Sequence, residues 1–207
     1  MELQPIAPAL WRWTAPHPDW QPATGEDDVN NWERDVGCVL FDAADATVLI
    51  DPLVADDGWE VLDRHVAERG LPVVVLTTLK WHDRSRDEVL ARYDAREARA
   101  GDALPAGVER EAIVDADESM YWLPAQHALV PGDRLIGKND GGSQVLRMNP
   151  DSWMDDLDPP LKQADLAPRL RPLLRLPIER VLVSHGQPVL EDGRAAVQAA
   201  IEAGAAD

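Results

Sequence analysis

The stretch LPVVVLTTLKWHDRSRDE, residues 71–88, carries the reading of the chain. Leu71–Leu76 is a dense apolar run, long enough for a buried strand and too short for a helix. Thr77 and Thr78 end it. Ser85, Arg86, Asp87 and Glu88 form the pattern of a capping box, which predicts a helix from about Ser85 to Tyr93. Between strand and helix lies a loop carrying Lys80, His82 and Asp83. A strand, a polar loop and a helix in this order form one α/β unit.

Upstream, Gly37–Phe41 and Thr47–Ile50 are short apolar runs separated by a turn at Asp42–Asp45, which predicts a hairpin closed by Asp51 and Pro52. Trp59, Val61, Leu62, His65 and Val66 recur at helical spacing, with Gly70 as the stop. The first 34 residues are rich in tryptophan and proline. They read as a short strand at Leu10–Trp13 and a loop over Thr14–Asn31, packed on the rest. Tryptophans 11, 13, 20 and 32 cover either a core edge or a ligand pocket. Downstream, Val108–Val114, Met120–Leu123, Ala128–Val130 with Leu135–Ile136, and Val181–Ser184 read as strands. Asn139–Gly142 reads as a turn, Pro159–Pro177 as holding a helix, and Gly193–Ala203 as an alanine-rich helix. The pattern is mixed α/β, with no internal repeat and no linker that would split the 207 residues, so one domain over 1–207 is expected.

Composition narrows the function. The net charge of -18 leaves no basic stripe for a nucleic-acid backbone or an anionic membrane surface. No apolar run approaches the roughly 18 residues of a membrane span, and the amino terminus does not read as a secretory signal. The expectation is a cytoplasmic protein that meets small molecules, not nucleic acid or membrane. Cys38 is the one cysteine and sits in an apolar run, which predicts a buried inert thiol. His17, His65 and His127 read as loop, helix-face and turn residues.

Polar residues just after buried strands matter because strand ends open onto crevices. Four such places occur: Asp51, the His82–Asp83 pair, Asp133 after Gly132, and His185 between Ser184 and Gly186. Their order and spacing over about residues 35–200 resemble the metallo-β-lactamase fold superfamily. That superfamily has an Asp-ended strand, a T-H-x-H-x-D-H loop opening a helix, a Gly-Asp, and a last strand ending in a His within a G-H-G-like turn. The resemblance implies a four-layer αββα sandwich with its site on the shared edge of two sheets. Asp133 and His185 match metal ligands residue by residue. The loop motif is degraded: Thr77 keeps its threonine, Thr78 and Lys80 stand at the first two histidines, and His82 and Asp83 stand where Asp and His would be. The histidine expected before the Gly-Asp is replaced by Asp115-Ala116-Asp117-Glu118, so only carboxylates could substitute.

Two functions follow from that pattern. One is a metal-dependent hydrolase with at most one metal, zinc or another divalent ion. It would use Asp133, His185, His82 and Asp83 as ligands, with His82, Asp83 and Lys80 as catalytic groups and Asp51 and Thr78 in support. The other is a non-catalytic binding or regulatory module on the same fold, with Lys80 replacing a metal by pairing with Asp133. A serine hydrolase is disfavoured: Ser184 and His185 are adjacent, and no G-x-S-x-G elbow exists.

Overall fold

A computed structural model describes residues 1–25, 31–140 and 143–206, with residues 138–140 and 143–144 described by their backbone alone. In chain order the strands and helices are β1 (Gln4–Ala7), β2 (Leu10–Pro16), β3 (Asp35–Asp42), β4 (Thr47–Ile50), α1 (Trp59–Arg69), β5 (Val73–Leu76), α2 (Arg86–Tyr93), β6 (Arg96–Glu97), β7 (Glu109–Ile113), β8 (Glu118–Leu123), β9 (Ala128–Val130), β10 (Leu135–Asp140), β11 (Ser143–Met148), α3 (Gln163–Leu170), β12 (Arg180–Val181) and α4 (Gly193–Gly204). One six-stranded sheet runs β1-β2-β3-β4-β5-β6, a four-stranded sheet runs β12-β9-β8-β7, and β10 pairs with β11.

The period-two alternation of strand side chains divides the interior into three cores. Val39, Phe41, Val48, Ile50 and Leu76 point from the first sheet onto Tyr121, Leu123 and Val130 of the second. The intervening residues Cys38, Leu40, Leu49 and Val75 point the other way, onto Leu62 of α1 and Val89 of α2. On the second sheet, Met120, Trp122 and Leu129 pack against Leu166 and Leu170 of α3 and Val197 and Ile201 of α4. The layers are therefore helix, sheet, sheet, helix. β4 and β5 are buried on both faces and pair in parallel, which accounts for their unbroken apolar text.

The hairpin expected at 37–50 is present as the antiparallel pair β3–β4. α1 ends at Gly70, whose φ of 60° lets its N–H cap the Val66 carbonyl. Other expectations are corrected. Ser85 does not close a capping box, because its hydroxyl accepts the Val54 N–H at 3.0 Å and ties the start of α2 to the loop after β4. The helical stretch after Pro159 is short: α3 gives way at Arg171 to a 3-10 turn that continues to Arg175. The last strand pairs only over Arg180–Val181, although Val181–Ser184 is buried throughout. The expected turn at 139–142 includes Gly141 and Gly142, which lie outside the described residues. Strands β1 and β6 have too few apolar residues to stand out in sequence, whereas β11, whose Leu146 and Met148 enter the core, goes unread there. No helix among the described residues is long and apolar enough to cross a membrane.

Candidate metal centre

The first half of the site hangs from the ends of β4 and β5. Asp51 follows β4 in a left-handed conformation (φ 48°) and is 3% exposed. Its Oδ1 accepts the Thr78 N–H at 2.8 Å, and its Oδ2 accepts the Thr78 hydroxyl at 2.5 Å. The same Oδ2 lies 2.8 Å from His82 Nδ1. An ionised carboxylate only accepts, so the hydrogen of that contact sits on Nδ1. The Nε2 lone pair of a neutral His82 then points away from Asp51, which is the orientation a carboxylate–histidine pair gives a metal-binding imidazole.

The second half comes from the other sheet. Asp133 follows β9 on a loop held by buried Glu118 of β8. The Glu118 carboxylate accepts backbone N–H groups from Gly132 (3.1 Å), Asp133 (2.9 Å) and Arg134 (2.9 Å). Burial pushes the Glu118 carboxyl up to about 7, with Arg134 opposing the rise. Arg134 is itself buried and donates to the Ala116 carbonyl. His185 sits in a turn clamped between two strands. Its carbonyl accepts the Gly137 N–H at 2.8 Å, and the Ser184 carbonyl accepts the Gly37 N–H at 2.6 Å. Gly186 has a φ of 82°, and a Cβ there would lie 2.3 Å from the Gly137 carbonyl oxygen, so only glycine fits.

These elements bring His82, Asp133 and His185 together. Asp133 Oδ1 lies 3.1 Å from His82 Nε2 and 3.2 Å from His185 Nε2. Both are ion-pair contacts, and they hold the carboxylate oxygen between the two rings. The candidate ligand atoms of the three residues all lie within 4.8 Å of one another. Two nitrogens and one carboxylate oxygen that converge in this way fit a single divalent ion as three protein ligands. Without one, the charges settle among themselves. Burial and Arg84 work against a charged His82, but Asp133 and Asp51 outweigh them and raise it to about 9. Burial opposes ionisation of Asp133, yet His82 and His185 hold its carboxyl well below the usual range. His185 is lowered, chiefly by burial, with Asp133 opposing.

The remaining sequence candidates lie elsewhere. Asp83 is exposed, and its carboxylate accepts the N–H of the next residue, Arg84, at 2.9 Å. The tight turn at 82–84, with Arg84 at φ 37°, sends adjacent side chains to different sides. Lys80 does not pair with Asp133. Its amine lies 3.2 Å from Asp117 Oδ2 and 4.0 Å from the centroid of the Trp81 ring, and about half of each partner in that ion pair is exposed. The pairing that would have let Lys80 replace a metal is therefore absent. None of the carboxylates at 115–118 joins the cluster: Asp115 faces Arg169, Asp117 faces Lys80, and Glu118 is spent on the Asp133 loop. Cys38 is buried, as expected, and burial pushes its thiol up.

Sequence reading missed several residues that shape the site. Arg84 donates to the carbonyls of Gly37 and Asp51, both at 3.0 Å, and to Ser184 Oγ at 2.6 Å, so it ties β3, β4 and the final strand end together. Trp32 and Trp153 flank His185 edge-on, with ring centroids at 5.2 and 5.4 Å. His17, which reads as a loop residue, lies with them on a cleft of about 630 Å3 that contains His82, Asp133 and His185. Nothing local in the sequence marks these residues, since each comes from a different segment. A neighbouring cavity of about 850 Å3, lined in part by Thr77, Lys80, Glu97 and Arg110, contains none of the three.

No protein-family profile matches the chain, and no curated protein matches it. Among solved structures it is similar to VMB-1, at 13% identity and TM-score 0.59, over 96% of this chain and 97% of that one. It is also similar to DIM-1 metallo-β-lactamase, at 13% identity and TM-score 0.55, over 96% and 97%. A metallo-β-lactamase from Erythrobacter litoralis aligns at 15% identity and TM-score 0.63, over 97% of this chain and 90% of that one. At such identities the likeness is one of fold. With its three cores and two facing sheets, the chain has the αββα metallo-β-lactamase fold.

Proposed function

We propose that the chain is a hydrolase of small molecules that works with one divalent metal, zinc foremost, held by His82, Asp133 and His185. The observation that carries this reading is the cluster around Asp133 Oδ1: a buried carboxylate oxygen lies 3.1 and 3.2 Å from two imidazole nitrogens, and the candidate ligand atoms all lie within 4.8 Å of one another. A divalent ion supplies Lewis-acid chemistry there, polarising a carbonyl and making water more acidic. The chain's own residues do the rest. Asp51 keeps the His82 proton on Nδ1, Asp133 brings the negative charge, and Trp32 and Trp153 fix the His185 ring. The reaction class is hydrolysis of an ester, thioester, lactone or lactam. Water gives its hydroxyl to the acyl carbon and a proton to the leaving oxygen, sulfur or nitrogen. The net charge of -18 disfavours polyanionic substrates.

The test is metal analysis of protein purified without chelator, followed by titration of the metal-free chain with zinc, iron and manganese. One equivalent bound and a raised melting temperature are expected. Failure of all three metals to bind or to stabilise would refute the reading. Hydrolysis of generic esters and thioesters should disappear in Asp133→Ala and His185→Ala. A full equivalent of metal with no turnover on any of these substrates would favour the non-catalytic binding module instead.

A further inference from the structure

Tryptophans wall the candidate cleft. Trp32 and Trp153 both meet His185 edge-on, and Trp81, 49% exposed, also lines it. One face of Trp81 already carries a cation, the Lys80 amine 4.0 Å from the ring centroid. Asp19, Asp155 and Asp156 also line the cleft, all exposed, and none has an ion-pair partner among the described residues. With Asp133 inside, four aspartates face Arg84 and, in the metal-free protein, a charged His82.

That arginine is held in place by the protein: its Nη groups donate to the carbonyls of Gly37 and Asp51 and to Ser184 Oγ. Lys80 is paired with Asp117 and lines the neighbouring cavity. The exposed Asp19, Asp155 and Asp156 therefore outweigh the charge of Arg84 at the cleft. Aromatic walls beside free carboxylates instead suit an organic cation, whose charge is attracted to ring faces and whose alkyl groups gain from leaving water. Such a cation is weakly hydrated, so the loss of solvent costs it less than it costs a primary ammonium.

We propose that this cleft selects substrates carrying a bulky organic cation, a quaternary or tertiary ammonium group, beside the bond to be cut, and rejects anionic ones. The proposal rests on the hydrolase reading for the bond that is cut, but the recognition itself does not require the metal. Choline, its uncharged isostere 3,3-dimethylbutan-1-ol and the anion 3,3-dimethylbutanoate form a matched set of probes. Each is titrated against the full chain, metal-free and zinc-loaded, by tryptophan fluorescence and calorimetry. Choline should bind about tenfold more tightly than the alcohol in both forms. In the metal-free form, where no zinc can capture a carboxylate, the acid should bind most weakly. A D155N/D156N double variant, changed only at exposed positions, should lose at least about threefold of the choline advantage while its metal content stays the same. Equal binding of choline and the alcohol overturns the proposal, as does tighter binding of the acid to the metal-free chain. Zinc loading without a choline preference would sink this inference and leave the hydrolase reading standing. A choline preference without zinc loading would do the reverse.

Discussion

Replacing Asp51 by asparagine isolates what one buried carboxylate does for a residue it positions. Asp51 accepts from the Thr78 N–H, the Thr78 hydroxyl and His82 Nδ1 at 2.8, 2.5 and 2.8 Å. An asparagine of the same shape keeps one acceptor oxygen. If that oxygen stays on the Thr78 N–H, the new amide places its hydrogens toward the hydroxyl and Nδ1. The hydroxyl can rotate to accept. The imidazole can accept only by moving its proton to Nε2, the atom that faces Asp133 Oδ1. The variant therefore loses charge-assisted hydrogen bonds worth about 1.5–3 kcal/mol each when intact, part of which the amide recovers. It also loses the lone pair that a metal needs. Changes of this kind typically weaken metal affinity about 10- to 100-fold, equivalent to about 1.4–2.8 kcal/mol.

The assay is competition for zinc against a chelator of known affinity, using wild type, D51N and D83N. The last is a control, because Asp83 is exposed and faces away from the cluster. Nitrogen NMR of the metal-free proteins at about pH 10, above the value near 9 for His82, should find the proton on Nδ1 in wild type and on Nε2 in D51N. D51N binding zinc within twofold of wild type, with the proton still on Nδ1, would refute the reasoning.

Three further outcomes are expected. Zinc affinity should rise about tenfold per pH unit between roughly pH 7 and 9 and then level off. His82, raised to about 9 in the metal-free protein, must give up a proton to bind, and potentiometry should record that proton's release; a flat profile over this range would contradict the charge assignment. Gly186→Ala should cost about 2–4 kcal/mol in urea unfolding. Its methyl would lie 2.3 Å from the Gly137 carbonyl oxygen at a φ of 82°, and a loss under about 0.5 kcal/mol would show that the clamp yields easily. Lys80→Met should change stability by no more than about 0.5 kcal/mol, because its pair with Asp117 is half-exposed. It should also leave zinc affinity within twofold, and a larger fall would place Lys80 in the site after all.

The sequence by itself marked most of the strand ends, and the order of those ends, by its resemblance to a known superfamily, implied the four layers. The unbroken apolar runs at Cys38–Phe41 and Thr47–Ile50 do not say which residue faces which core, and the tertiary structure decided that. Asp51, Asp133 and His185 stood out because the chain turns polar where a buried strand ends. The pair His82–Asp83 did not resolve, because neighbouring residues in a tight turn diverge, and nothing in their order says which one faces inward. The same limit applied to Lys80, whose long side chain reaches Asp117 in one direction and was expected at Asp133 in another. Arg84, Trp32 and Trp153 became part of the site only through tertiary structure. Their partners lie tens to more than a hundred residues away, and local spacing carries no record of such contacts. What only the tertiary structure decided was the centre itself: a loop after β5, a loop after β9 and a turn after β12 point two imidazole nitrogens and one carboxylate oxygen at each other, because two sheets meet along one edge.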